Sequence, residues 1–84
     1  MKSSILIVDD ETLLLESLKK ALSREGYAAL TATSGLEALR CFEEHTPDLV
    51  LLDVKLPDID GIQVLQRLRK VDTQTPIVIM TAYS

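Results

Sequence analysis

Three aspartates carry the chemistry that this sequence could perform. Asp9 and Asp10 directly follow the apolar run Ile5-Leu6-Ile7-Val8, and Asp53 directly follows Leu49-Val50-Leu51-Leu52. In an open parallel sheet, ligands bind outside the carboxyl ends of the strands, where the strand order reverses. With the order 2-1-3-4 the first and third strands are neighbours, and the three acids converge in one shallow cleft. Carboxylates that close repel, so either their pKa values rise or a cation sits among them. Oxygen ligands without His or Cys favour a hard cation. Few protein ligands, completed by water and a phosphate oxygen, favour Mg²⁺ over Ca²⁺. A carboxylate beside Mg²⁺ can attack phosphorus and form an aspartyl phosphate, with catalysis resting on position and electrostatics. Taken singly, acids after a strand are more often helix caps, and Asp10 or Glu11 could do only that. The joint placement, with Thr81 closing the last apolar run, favours the site.

The elements that must position these acids are legible as alternating patterns. Apolar runs at Ile5–Val8, Tyr27–Leu30, Leu49–Leu52 and Ile77–Met80 read as strands, and three of them, near-continuously β-branched or Leu, suit strands covered on both faces. Between the first two, Leu14, Leu18, Ala21 and Leu22 follow a helical period that Gly26 ends. Ser34-Gly35-Leu36-Glu37 reads as a capping box, followed by Ala38, Leu39 and Phe42 before Pro47. A third helix opens near Asp58-Ile59-Asp60-Gly61 and carries Ile62, Leu65 and Leu68. Thr73-Gln74-Thr75-Pro76 reads as a loop. The order β-α-β-α-β-α-β predicts an α/β fold with a parallel sheet.

The chain has 84 residues, which allows one small domain over 1–84. Its 46% hydrophobic and 26% charged residues exclude a disordered tail, a collagen-like repeat and a coiled coil. No apolar run exceeds four residues, so no membrane span or signal peptide is expected. A net charge of -4 with 4% aromatics argues against direct nucleic-acid binding. The single Cys41 excludes an internal disulfide and suits a reducing, cytoplasmic location.

The segments Ile5–Glu11, Pro47–Pro57, Asp60-Gly61 and Pro76–Ala82 together resemble the receiver domain of bacterial two-component response regulators, in order and spacing along the whole chain. The resemblance implies a flavodoxin-like (CheY-like) doubly wound parallel sheet. It implies that Asp53 is phosphorylated by a histidine kinase with Mg²⁺ as cofactor. Asp10 matches the direct Mg²⁺ carboxylate, and Asp9 holds the metal or its water. Lys55 matches the position whose backbone carbonyl binds the metal. Thr81 resembles the switch hydroxyl, and Ala82 the small residue that leaves space for phosphate. Pro57 and Gly61 resemble the turn before the third helix. The output is expected to be transcription regulation through an effector domain outside this chain.

The family has five βα units, and this sequence stops after the fourth strand, so it reads as a truncated receiver. Helix 4, strand 5 and helix 5 have no counterpart here, nor do the family's strand-5 lysine and aromatic switch residue. Right-handed crossovers leave helix 1 alone on its face and strand 4 as a bare edge. A homodimer or swapped oligomer that buries strand 4 or the helix-1 face is the expectation.

Other residues read more plainly. His45 ends the second helix and reads as a surface histidine; Cys41 sits beside Phe42 and reads as packing or surface. Arg67, Arg69 and Lys70 suit the carbonyl end of a helix dipole. Gly35 and Gly61 are single glycines at helix starts, not a phosphate-binding loop. Two functions compete with a phosphoaccepting switch, which is not an enzyme in the ordinary sense. One is an interaction module on the same scaffold without phosphorylation. The other is a phosphatase-type hydrolase, disfavoured because Lys55 stands where a general acid is usual.

Overall fold

Continuous apolar runs suit strands covered on both faces, and here β1 and β3, at the centre of the sheet, meet that condition most fully. The computed structural model describes residues 2–80. The elements are β1 (Ser4–Val8), α1 (Thr12–Arg24), β2 (Ala28–Ala32), α2 (Gly35–His45), β3 (Leu49–Asp53), α3 (Gly61–Val71) and β4 (Ile77–Met80). The strands form one parallel sheet in the order β2-β1-β3-β4. With three helices this is the expected flavodoxin-like, doubly wound arrangement.

Chain direction explains where the helices lie. The connection from β1 out to β2 places α1 on one face. The return to β3 and on to β4 places α2 and α3 on the other, as right-handed crossovers require. Alternate residues of each strand serve the two faces. Leu6, Val8, Val50 and Leu52 pack with Ala38 and Phe42 of α2 and with Val64 and Leu68 of α3. Ile5 and Ile7 pack with Leu15 of α1, supported by Leu18, Leu22, Leu49 and Leu51. Each fully buried aliphatic side chain contributes about 1.5–3 kcal/mol relative to exposure.

Helix phase departs from the sequence reading in two places. In α1 the anchor is Leu15, 4% exposed, whereas Leu14 is 38% exposed and Ala21 faces solvent. The stripe that meets the sheet is Leu15, Leu18 and Leu22. Leu13-Leu14-Leu15 makes neighbouring phases nearly equal in apolar content, so packing chooses among them. In α3, Ile62 is exposed and Gly61, Val64 and Leu68 are buried. Close approach of Gly61 to the end of β3 sets that phase.

Helix ends follow local chemistry. Gly26 has φ +90, and α1 closes with Gly26 N–H donating to the Ser23 carbonyl and Tyr27 N–H to the Leu22 carbonyl. This closing motif draws Tyr27 out of the strand, so β2 starts one residue later than expected and runs on to Ala32. The box at the start of α2 is only half closed. The Ser34 hydroxyl accepts from Glu37 N–H at 3.2 Å, but the Glu37 carboxylate accepts from Thr33 N–H, one residue before the cap. The complete box lies on α3: Asp60 accepts from Gln63 N–H, and Gln63 Oε1 accepts from Asp60 N–H.

Among the described residues β4 pairs only with β3. Val78 is 49% exposed, and its register partner Leu51 belongs to the α1 side of the sheet. Among the described residues α1 is the one helix on that face, and Val78 is not part of the cluster it forms with the sheet. Arg69 does more than complement the α3 dipole. Its guanidinium donates to the Thr75 carbonyl at 2.8 Å and ties down the loop before β4.

Candidate functional site

The site forms because β1 and β3 are adjacent and end together. Val8 stands opposite Leu52, so Asp9 and Asp53 come next on neighbouring strands. Asp9 N–H donates to the Ala32 carbonyl at 3.1 Å and prolongs the ladder toward β2. Its carboxylate turns back to accept from Glu11 N–H at 2.9 Å, a turn that leads the chain into α1. Asp53 is the last residue of β3, and its Oδ1 accepts from Lys55 N–H at 3.3 Å.

Carboxylate oxygens of Asp9, Asp10 and Asp53 all lie within 4.8 Å of one another. Asp9 and Asp53 are buried and Asp10 is exposed. Burial, more than anything, pushes the Asp9 carboxyl above the ordinary carboxylate range. The charges of Asp53 and Asp10 add to that push, and the Glu11 N–H partly offsets it. Among the described residues no Lys, Arg or His lies within ion-pair distance of these acids. Three oxygen donors without a protein counter-charge form a donor set suited to a hard divalent cation.

The segment from Val54 to Asp60 leads from β3 to α3 and is pinned at several points. Gly61 N–H donates to the Val54 carbonyl at 2.7 Å. A Cβ at Gly61 would collide with the Asp53 carbonyl oxygen and the Val54 Cα, so only glycine permits this approach. In mid-segment, the Asp58 carboxylate accepts from Gly35 N–H at 2.8 Å and Leu36 N–H at 2.9 Å, the first turn of α2. Those two N–H groups hold its pKa down to about 2. In the sequence Asp58 reads only as part of a helix start. Its partners are 22 and 23 residues away, and no local pattern announces them. The Asp60-x-x-Gln63 box was available as a pattern three residues apart.

Of the other expected site residues, Lys55 lies on the pinned segment with its side chain exposed. Thr81 and Ala82 lie outside the described residues. His45 is exposed and 3.8 Å from Glu44, remote from the acids in the fold. Cys41 is half-buried against the α2–α3 core, and burial raises its thiol pKa. A groove of about 450 Å³ between the carboxyl ends of α2 and α3, lined by Leu39, Phe42, Arg67 and Val71, shares no residue with the carboxylate site.

This fold with acids at the ends of β1 and β3 defines a class. Residues 5–84 match the model of the response regulator receiver domain, and the chain belongs to that family. It is 43% identical over 83 residues to the sporulation initiation phosphotransferase F of Bacillus subtilis, covering 99% of this chain and 67% of that protein. It is 45% identical over 82 residues to the alkaline phosphatase synthesis transcriptional regulatory protein PhoP of the same organism, covering 98% of this chain but 34% of that protein. A receiver domain protein (CheY-like) from Methanospirillum hungatei superposes with a TM-score of 0.95 at 36% identity, covering 100% of this chain and 67% of the other. Response regulator TrrA from Thermotoga maritima, solved in complex with Mg(2+)-BeF, superposes at 0.90 with 45% identity, covering 100% of this chain and 72% of the other. No described helix is long and apolar enough to cross a membrane.

Proposed function

We propose that residues 1–84 act as one phosphoaccepting receiver unit, with Asp53 as the acceptor and a histidine kinase as donor. The supporting observation is the meeting of three carboxylates within 4.8 Å at the adjacent ends of β1 and β3. A carboxylate oxygen of Asp53 attacks the phosphorus of a phosphohistidine. The O–P bond forms, the P–N bond breaks, and the leaving imidazole takes a proton. Asp9, Asp10, Asp53 and the Lys55 carbonyl would hold Mg²⁺. When bound, the ion supplies positive charge against the acids and the incoming phosphoryl oxygens. Asp9 and its Glu11 N–H partner fix the inner wall of the cleft. Gly61 and Asp58 keep the outer segment in place. Thr81 serves as the switch hydroxyl and Ala82 leaves room for the phosphoryl group. The chain is a switch rather than an enzyme, works in the cytoplasm, and reports to a transcriptional effector domain elsewhere.

Intact mass after incubation with Mg²⁺ and a small-molecule phosphodonor tests this. One added phosphoryl group in the wild type and none in Asp53→Asn is expected. No addition to a folded wild-type sample refutes acceptance by this chain.

A second reading, an interaction module, rests on apolar side chains exposed among the described residues. Val78 is 49% exposed on an edge strand, and Leu13 of α1 is 84% exposed. Burying such surface by self-association recovers hydrophobic free energy and blunts the strand edge. A homodimer through β4 or the α1 face is therefore part of the proposal. Sedimentation equilibrium should give twice the chain mass, and a monomer at high concentration contradicts it. Dimerisation indifferent to Mg²⁺ and phosphodonor, with no phosphoryl uptake, would favour the module alone.

A further inference from the structure

We infer that Asp58 is a positioning residue of the carboxylate site: by clamping the first turn of α2, it holds the segment 54–60 in the shape that presents Asp53 and Lys55 to a divalent cation. The inference rests on the reading of that site as a Mg²⁺ site. Each oxygen of Asp58 accepts one backbone N–H, from Gly35 and from Leu36. Both donors are among those that a helix leaves without internal partners, and the positive end of the helix favours a carboxylate there.

The neighbouring residue strengthens the contact. Ile59 fills the space that a Cβ of Gly35 would occupy, so Gly35 is what lets the segment sit directly on α2. The other hydrogen bonds of the segment lie at its ends, Lys55 N–H on Asp53, Gly61 N–H on the Val54 carbonyl and the Asp60–Gln63 box, while Leu56 and Ile59 pack on the core. Asp58 binds the middle to a separate element. Helix α2 already has its own cap in Ser34, which accepts from Glu37 N–H. The Asp58 contact thus serves the segment as well as the helix. It also predicts that events at the acids are felt at the α2 N-terminus.

Titrating Mg²⁺ into the full chain while recording backbone amide resonances tests this. In the wild type, the Gly35 and Leu36 amides are expected to shift with the same Mg²⁺ dependence as Asp53 and Lys55. In Asp58→Ala, the Mg²⁺ Kd should rise about tenfold, the lower end for loss of a residue supporting a metal site, and the Gly35 and Leu36 response should disappear. Asp58→Asn keeps one acceptor oxygen of two and should fall between. It carries the comparison if the alanine variant does not fold. Ser34→Ala weakens α2 without touching the segment and should leave the Mg²⁺ Kd unchanged. Equal Kd values in wild type and both Asp58 variants overturn the inference and leave the Mg²⁺ reading standing. Equal losses in Ser34→Ala and Asp58→Ala also overturn it, because helix stability would then be the cause. A folded wild type that binds no Mg²⁺ removes the site reading itself, and the inference with it.

Discussion

Gly61, the first residue of α3, rests against the carbonyl of Asp53, the last residue of β3, with no space between them for a Cβ. The contact joins the start of a helix to the end of the strand that carries the proposed acceptor. Replacing glycine by alanine in an open helix gains up to about 1 kcal/mol. Here the added carbon meets backbone atoms that cannot rotate away, a cost of about 1–3 kcal/mol. Gly61→Ala should therefore lower the stability measured by urea unfolding and reduce phosphoryl uptake at Asp53. An equal or higher midpoint would show that α3 shifts at no cost.

Asp9 is buried beside two other acids and bears the raised pKa that this entails. Asp9→Asn keeps an oxygen for the Glu11 N–H and removes one charge. Without metal it should be more stable than the wild type near pH 7 by about 1 kcal/mol, the scale of one water-screened repulsion at this distance. Added Mg²⁺ should reverse the order, because the wild type gains more from the ion. Thermal melts with and without Mg²⁺ check both halves. A metal-free Asp9→Asn variant that is less stable contradicts the account.

Two acids shape the low-pH behaviour in opposite directions. Asp58 has its folded pKa depressed from 3.8 to about 2. Its contribution is complete above pH 3.8 and disappears as pH falls through about 2. Asp9 has its folded pKa raised above 3.8, so ionising it costs stability as pH rises through that folded value. The melting temperature of Asp58→Asn should lie below that of the wild type at pH 5–7, with the gap closing toward pH 2. A gap independent of pH would mean that the charge of Asp58 is irrelevant to its contacts.

The phase of α1 gives a stability test free of the site. Leu15 is 4% exposed and Leu14 is 38% exposed. Leu15→Ala should cost about 2–5 kcal/mol, the range for a buried leucine. Leu14→Ala should cost less than about 1 kcal/mol, nearer the behaviour of a surface position. Chemical denaturation of the two variants side by side decides, and equal losses would contradict the observed phase.

Much of this protein is determined by sequence alone. Four unbroken apolar runs, separated by helical periods, point to a parallel sheet with helices packed on it. The acids directly after the first and third runs must then stand at the ends of strands. Both consequences are short-range: side-chain period and chain direction leave few alternatives. The tertiary structure decided what local pattern leaves degenerate. Three leucines in a row could not specify that Leu15 meets the sheet, because adjacent helix phases bury nearly the same apolar surface. Ile62 fits a core position by period alone, but the fit of Gly61 against Asp53 turns it to solvent. Glu37 closed on Thr33 rather than Ser34, a choice of one residue between equivalent N–H donors. The clamp of Asp58 on Gly35 and Leu36 exists only after β1 and β3 have paired and α2 and α3 have packed on one face. A hydrogen bond across more than 20 residues has no period by which it could be read.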